Sequence, residues 1–416
     1  MSPYFSYKND LLYAEEVSLA EIAAQYDTPC YVYSRQALEQ NWQAFTQAFG
    51  NIPHRICYAV KANATLAILN VFAKHNAGFD IVSIGELERV LAAKGNAKKI
   101  IYSGVAKKST EIIRAIAAGI GCFNVESESE LNRLHSLAAQ QKTVVEIALR
   151  VNPNINARTH PYIATGLSDN KFGIDASEVL PLYKKIHATM PYCSITGIAC
   201  HIGSQLTELS PFLEAIDCVL ELIAELKTAG ILLQHIDIGG GLGVIYQDET
   251  PPTISEYVTA VCAKLKNSGL EIVIEPGRAL VANAGILLTR VEYLKHTRHK
   301  NFAIVDAGMN DLLRPALYEA WHSIMPVKLN PALQEQTYDI VGPVCESADF
   351  LGKNRLLAIE ESDLLAIGSV GAYGSCMSSN YNARAKAAEV MVNKDKVHLI
   401  RQRETLQSVF VQESFE

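Results

Sequence analysis

ICYAVKAN, residues 56–63, sets an apolar run from Ile56 to Val60 directly against a lysine, and a helical pattern over 65–75 follows. An apolar run, then a polar residue, then a helix places that residue at the carboxyl end of a strand. This is the end at which α/β barrels display the side chains that do chemistry. Taken alone, Lys61 reads equally as a surface lysine in a strand–helix loop. A desolvated amine at the same place would suit imine formation with a carbonyl compound. The pattern then repeats down the chain. Further short apolar runs lie near 79–82, 99–102, 120–125, 144–151, 195–200, 234–238 and 271–275, which makes eight with the first. Helical patterns separate them at 85–93, 109–118, 127–140, 176–189, 210–229 and 255–267. Strict alternation predicts a parallel sheet, and eight strands in about 220 residues predict a closed (β/α)8 barrel rather than an open sheet. Only seven helices follow strands. A helix from a Ser34 cap to Phe49, stopped by Gly50, is expected to fill the eighth place in the ring.

Outside that alternation the texture differs. Residues 18–26 carry a short amphipathic helix pattern, Thr28-Pro29 a turn, and 30–33 the β-rich CYVY. Beyond residue 285 the patterns turn strand-like: ILLTRVEYL (286–294), FAIVDAG (302–308), YDIVGPV (338–344), LLAIG (364–368), AEVMV (388–392) and VHLI (397–400). Gly, Pro and Asn turns separate them. Short helices are expected near 315–320 and 383–388, and residues 411–416 are expected to fray. The expected fold class is therefore α/β plus all-β. A (β/α)8 barrel spans 34–280, and a β-barrel or sandwich domain is made from 1–33 and 281–416.

Composition narrows the partners. At 416 residues the chain suits a barrel of about 250 residues plus a second module. It is 49% hydrophobic and 19% charged, with a net charge of −7 and no long basic run. That balance argues against nucleic acid or an anionic membrane as the main partner and for a small molecule. Nine cysteines, an odd number with no C-x-x-C pair, read as reduced thiols. The start MSPYFSYKND has neither the basic nor the apolar region of a signal peptide, and no run of 18 apolar residues occurs. A soluble, cytoplasmic protein is expected, and no metal site.

Polar residues collect at the carboxyl ends of the expected strands: Lys61, then Asp80 and Ser83, Ser103, Asn124 and Glu126, Arg150 and Asn152, His201, Gly239-Gly240-Gly241, and Glu275-Pro276-Gly277-Arg278. The triple glycine lets backbone N–H groups approach an anion, and in barrels the loops after strands seven and eight frequently hold phosphate. A tight turn explains it as well. Ser204 could add a hydroxyl to the same anion. Glu275 ends an apolar strand and calls for a partner, either Arg278 or a protonated ring nitrogen. His201 is either a satisfied core histidine or a plate against an aromatic cofactor. An imine-forming lysine, a phosphate cradle and an acid aimed at a ring nitrogen are the fixings pyridoxal phosphate requires.

The motifs YAVKAN (58–63), HIGSQ (201–205), DIGGGLG (237–243), EPGR (275–278), CES (345–347) and GAYG (371–374) resemble those of the barrel-type pyridoxal-phosphate-dependent decarboxylases of alanine-racemase-like fold. The likeness is greatest to the members acting on diaminopimelate, and it runs in order from about Phe5 to Val392. It implies pyridoxal 5'-phosphate bound by Lys61, with His201 on the ring face and Glu275 at the ring nitrogen. Ser204, Gly239, Gly240, Gly241, Pro276, Gly277, Arg278 and Tyr373 would complete the cofactor shell. Arg278, Arg314, Tyr318, Glu346 and Tyr373 match substrate contacts, and Cys345 matches the donor of the final proton. The resemblance further implies a homodimer whose active sites are shared across the interface. Departures are small: Asp27 stands where Gly usually precedes Thr-Pro, and Ala348 and Ala385 occupy variable places.

The implied activity is decarboxylation of meso-2,6-diaminopimelate to L-lysine and carbon dioxide, the last step of lysine biosynthesis. The residue chemistry agrees: two arginines, a tyrosine and one acid suit a distal centre carrying both carboxylate and ammonium. Arg314 and Tyr318 also read as a structural turn at Arg314-Pro315. A decarboxylase acting on carboxynorspermidine or a basic amino acid, and a non-catalytic pyridoxal-phosphate-binding homologue, remain alternatives. Against the last stands the joint retention of Lys61, Glu275 and Cys345.

Overall fold

Eight parallel strands close into a barrel in the computed structural model, which describes residues 3–155, 165 and 170–416. The strands are His54–Ala59, Gly78–Ile81, Ile100–Tyr102, Cys122–Val125, Val145–Asn152, Cys193–Cys200, His235–Asp237 and Glu271–Ile274. Each pairs with the next, and the last returns to the first through Ile272 opposite His54 and Ile274 opposite Ile56. Closure leaves no unpaired edge. Side chains alternate across the wall as the period of two requires. Cys57, Ile101, Cys122, Ala148, Ala199 and Val273 form one buried cluster, while Tyr58, next to Cys57, meets Phe72 of the helix Leu66–Lys74 with ring centroids 4.5 Å apart. Small side chains within and aromatic ones towards the helices fill the space between layers.

Several helices of the outer ring start on side-chain caps. Ser83 and Ser127 each accept the N–H of a glutamate three residues on, and Thr253 forms a reciprocal box with Glu256, which satisfies N–H groups that the helix itself leaves unbonded. The helix Arg35–Phe49 begins where Ser34 Oγ accepts the Ala37 N–H at 3.1 Å. Its Trp42 ring lies 5.7 Å from Phe72, and its Phe45 shares a small cavity with Tyr257 of the helix Ile254–Leu265. These contacts set it between the first and last helices of the ring.

The chain's contacts divide it into two compact units, one of Trp42–Val244 and Thr250–Ala279 and the other of Met1–Asn41, Ile245–Glu249 and Leu280–Glu416. The second unit is built on the long strand Gly285–His296, which pairs antiparallel with Cys30–Ser34, Asn301–Val305 and Leu364–Ile367. Cys30–Ser34 continues the sheet, parallel, to Ala388–Asn393 and its hairpin partner Lys396–Arg401. Leu12, Ile22, Val32, Ile286, Leu288 and Val390 belong to its core.

Several elements there were not expected from the sequence: the meander Phe5–Lys8, Leu11–Ala14, Val17–Ser18, the strands Ile324–Pro326 and Phe350–Leu357, and the helix Leu406–Phe410. The helix expected over 383–388 is absent. A single 3-10 turn, Tyr381–Ala383, stands there instead, with Asn382 and Ala383 at φ +55° and +54°, and the strand begins at Ala388. Left-handed residues cannot propagate a right-handed helix. Residues 411–416 are exposed and carry neither helix nor strand. Among the described residues no helix is long and apolar enough to cross a membrane, and no cluster of His, Cys, Asp and Glu could hold a metal ion. All nine cysteines are free thiols.

Candidate active site

Lys61 stands on the 3-10 turn Val60–Ala62, immediately after the first barrel strand. Its Nζ lies 2.6 Å from Oδ2 of Asp80, a fully buried residue on the second strand. Two further carboxyls are buried in the same barrel. Glu275 follows the last strand and is hydrogen-bonded to Asp237 of the seventh. Asp237 in turn accepts the Gly239 N–H at 2.9 Å and an Asn124 Nδ2–H at 3.2 Å. Burial, then the charges of Asp237 and Asp80, raise the Glu275 carboxyl well above its ordinary range against the pull of Lys61. Burial also raises Asp237, offset by the hydrogen bonds it accepts. Both carboxyls of the pair are thus raised, and the two share a hydrogen bond. Glu275 Oε1 has no hydrogen-bond partner among the described residues. A buried carboxyl oxygen without a donor is rare in folded proteins and marks a place where one is expected.

His201 follows the sixth strand, and the Gly240 N–H points at its Nδ1 from 3.3 Å. Nδ1 is therefore the acceptor and Nε2 carries the proton. Desolvation, then the charges of Arg150 and Lys61, hold the imidazole well below its usual range, so the ring is neutral. The glycine loop differs from expectation in one respect. Of its three N–H groups, that of Gly239 goes to Asp237 and that of Gly240 to His201, which leaves only the Gly241 N–H for an anion. What the glycines supply is close approach. A Cβ on Gly240 would lie 2.2 Å from the Glu275 carbonyl oxygen, and Gly239 and Gly241 sit at φ +68° and +118°, where L side chains are strained. Ser204 Oγ accepts from Arg278 Nη2 at 3.0 Å and Nε at 3.3 Å. Pro276 and Gly277 are buried; the Pro276 carbonyl accepts the Ala59 N–H at 3.1 Å, and a Cβ on Gly277 would lie 3.0 Å from that of Ala62. The EPGR segment is thereby locked against the turn that carries Lys61.

Other strand-end residues serve the frame. Arg150 pairs with Glu126 at 2.9 Å, and Glu126 also accepts the N–H groups of Gly104 and Gly173.

In the second unit the expected substrate residues stand in two settings. Arg314 opens the short helix Arg314–Tyr318 and is buried. Its Nη1 lies 3.0 Å from His322 Nε2, and its guanidinium lies 4.5 Å from the centroid of the Tyr246 ring. Tyr318 is half-buried on the same helix, and Tyr373 is half-buried with φ +56°. Cys345 and Glu346 are exposed. The Cys345 N–H donates to Asn382 Oδ1 at 2.9 Å, and Tyr381 donates its hydroxyl to Glu346.

Three residues of these sites were not singled out by the sequence. Asp237 lies inside the quoted DIGGGLG, yet an aspartate at the end of a three-residue strand reads as the start of a loop. His322 and Tyr246 lie in segments with no periodicity, and only their contacts identify them.

Residues 35–282 match the family model described as pyridoxal-dependent decarboxylase, pyridoxal binding domain. The chain is 55% identical over 413 residues to diaminopimelate decarboxylase of Vibrio cholerae serotype O1, covering 99% of each chain. It superposes on diaminopimelate decarboxylase from M. jannaschii in complex with L-lysine with a TM-score of 0.94 at 38% identity, covering 100% of this chain and 98% of that one. On the Helicobacter pylori diaminopimelate decarboxylase complexed with L-lysine the TM-score is 0.91 at 40% identity, covering 94% and 98%. A barrel with a lysine, a buried acid and a glycine loop at one end suits a pyridoxal-binding domain, and identity at this level extends along the whole chain. The chain belongs to the pyridoxal-dependent decarboxylases and, within them, to the diaminopimelate decarboxylase family.

Proposed function

We infer that the chain decarboxylates meso-2,6-diaminopimelate to L-lysine and carbon dioxide with pyridoxal 5'-phosphate, the last step of lysine biosynthesis. The observation that carries this reading is the buried Glu275 carboxyl, whose Oε1 has no hydrogen-bond donor among the described residues. A ring nitrogen there would supply the donor, and the family and the lysine complexes of similar proteins name the substrate class. When bound, the cofactor supplies an electron sink for the pair left at the α-carbon as carbon dioxide departs.

The residues present fit that group. Lys61 would hold its carbonyl carbon, His201 its ring face and Glu275 its ring nitrogen. Gly239, Gly240 and Gly241 give the close approach its phosphate needs, with Ser204, Pro276, Gly277, Arg278 and Tyr373 around it. Asp80 orients the Lys61 nitrogen at 2.6 Å. Neutral His201 would face the ring without adding a cation of its own. Arg278, Arg314, Tyr318 and Tyr373 would grip the distal carboxylate, Glu346 the distal ammonium, and Cys345 would return a proton to the α-carbon.

The barrel domain proposed is 34–280, and the β-domain 1–33 with 281–416. The chain is proposed to act as a cytoplasmic homodimer in which each barrel is completed by the Cys345–Glu346 loop of its two-fold mate. The exposure of that loop and the nine free thiols support this. The test is carbon dioxide release by cofactor-loaded protein from meso-diaminopimelate, carboxynorspermidine, lysine and ornithine in parallel. Release from meso-diaminopimelate with stoichiometric L-lysine is expected. Release from one of the others instead would overturn the substrate assignment.

A further inference from the structure

A buried guanidinium must be oriented by something, and two of the groups that orient Arg314 are uncharged. The first is His322, which is fully buried. Its Nδ1 lies 2.9 Å from the Gly368 carbonyl oxygen, which can only accept, so Nδ1 carries the proton. Nε2 then presents a lone pair to Arg314 Nη1 at 3.0 Å. The second is Tyr246, whose ring face lies 4.5 Å from the guanidinium carbon. The two supports brace each other: the rings of Tyr246 and His322 meet edge-on, with centroids 5.3 Å apart and planes at 81°. Tyr246 sits on a turn closed by the Glu249 carboxylate, which accepts the N–H groups of residues 246 and 247 at 2.9 and 2.7 Å. Arg314, Tyr246, Glu249 and His322 all belong to the same unit of the chain.

The chemistry of the supports matters. An aspartate or glutamate in the place of His322 would neutralise the guanidinium and compete with any anion brought to it. The neutral acceptor and the aromatic face fix its plane, and its charge is felt in addition by the Glu249 carboxylate. A planar donor fork recognises a carboxylate through two parallel hydrogen bonds, which demand that the plane be set beforehand. Rotamer freedom lost on folding is not lost again on binding. We infer that Tyr246 and His322 are positioning residues that aim Arg314 at the distal carboxylate of the substrate, and that they set the preference for ligands that carry that carboxylate.

This inference rests on the proposed role of Arg314. L-Lysine and cadaverine differ by a single carboxylate, so the ratio of their dissociation constants on cofactor-loaded protein, measured by competition, reports the grip without turnover. His322→Phe removes the acceptor and keeps a ring; Tyr246→Leu removes the ring face. Each is expected to shrink the cadaverine-to-lysine ratio by roughly tenfold, the scale of one cation–π contact or one hydrogen bond to a charged group. Tyr246→Phe keeps the face, and His322→Gln keeps an acceptor and a donor, so both are expected to preserve the ratio. Arg314→Lys serves as the reference. If it collapses the ratio while His322→Phe and Tyr246→Leu leave it unchanged, the positioning role is overturned and the carboxylate site stands. If Arg314→Lys itself leaves the ratio unchanged, the carboxylate site falls. Equal weakening of both ligands by the Tyr246 and His322 variants would mark a merely structural role and also overturn the inference. Should His322→Phe fail to fold, the two Tyr246 variants decide the question.

Discussion

The barrel centre and the Arg314 cluster each hold a cation, half-buried at Lys61 and buried at Arg314, and they surround it with opposite chemistry. Lys61 is met by a carboxylate, Asp80, with two more carboxyls, Asp237 and Glu275, buried beside it. Arg314 is met by a neutral imidazole and an aromatic face. Buried charge is tolerated only with compensation, so the surplus tells what each place awaits. Acid in excess suits an incoming protonated ring nitrogen. A guanidinium whose plane is set by a neutral ring and an aromatic face suits an incoming carboxylate.

The sharpest break in that contrast is made at Lys61. Lys61→Ala is expected to abolish turnover and the visible absorbance of covalently held cofactor while the protein stays folded, because a strand-end side chain tolerates truncation better than a core one. Retained absorbance would remove the lysine from its role. Whether the two regions meet across subunits is the next largest effect. Lys61→Ala and Cys345→Ala, each nearly inactive alone, are expected on mixing to recover about a quarter of wild-type activity. In a closed two-fold dimer half the dimers are then mixed, and one site in each of those carries neither lesion. No recovery, with exchange verified by mass-tagged subunits, would place both residues in one chain.

On the cation's side of the contrast, Arg314→Lys keeps the charge and loses the fork. The expected fall in kcat/KM for meso-diaminopimelate is roughly tenfold or more, in line with about 1.5–3 kcal/mol for hydrogen bonds to charged groups. Unchanged kinetics would leave Arg314 to the turn.

The smallest effect is on the acid side and concerns stability. The Glu275 carboxyl is raised above its ordinary 4.5, first by burial. The folded protein therefore binds that proton more tightly than the unfolded chain. The contribution is fully present below pH 4.5 and is lost as pH rises from there through the folded value. In cofactor-stripped protein Glu275→Gln is expected to raise Tm at neutral pH by a few degrees, since 1 kcal/mol moves a domain of this size by about 2–4 °C. The gain should vanish as pH falls towards 4.5. A difference that does not vary with pH would deny that folding raises the Glu275 carboxyl.

Much of the barrel was legible because its signal is periodic: each apolar run named in the sequence became a strand, and Lys61, His201 and Glu275 stand at strand ends as read. The β-domain was read less well where periodicity fails. Phe350–Leu357 contains Gly352, Lys353 and Asn354 in mid-strand, and that break in alternation concealed it. Residues 383–388 looked helical by composition, but Asn382 and Ala383 adopt left-handed backbone. Asp237 was present in a quoted motif, yet its bond to Glu275 joins the ends of two different strands with a whole helix between them. His322 and Tyr246 lie 76 residues apart and meet only through folding. Local pattern reports elements; it does not report which side chains share a proton or a ring face.

The fit of Gly240 against the Glu275 carbonyl has a consequence for anyone who would redesign this enzyme. With 2.2 Å between that carbonyl and where a Cβ would sit, even alanine at 240 must push the acid's backbone aside. Glu275 would then move relative to whatever its side chain addresses. With the roles proposed for Gly240 and Glu275, the anion pocket and the tuning of the ring nitrogen could not be varied independently: a library randomised at 240 to change phosphate affinity would be screening, unannounced, for altered reaction chemistry.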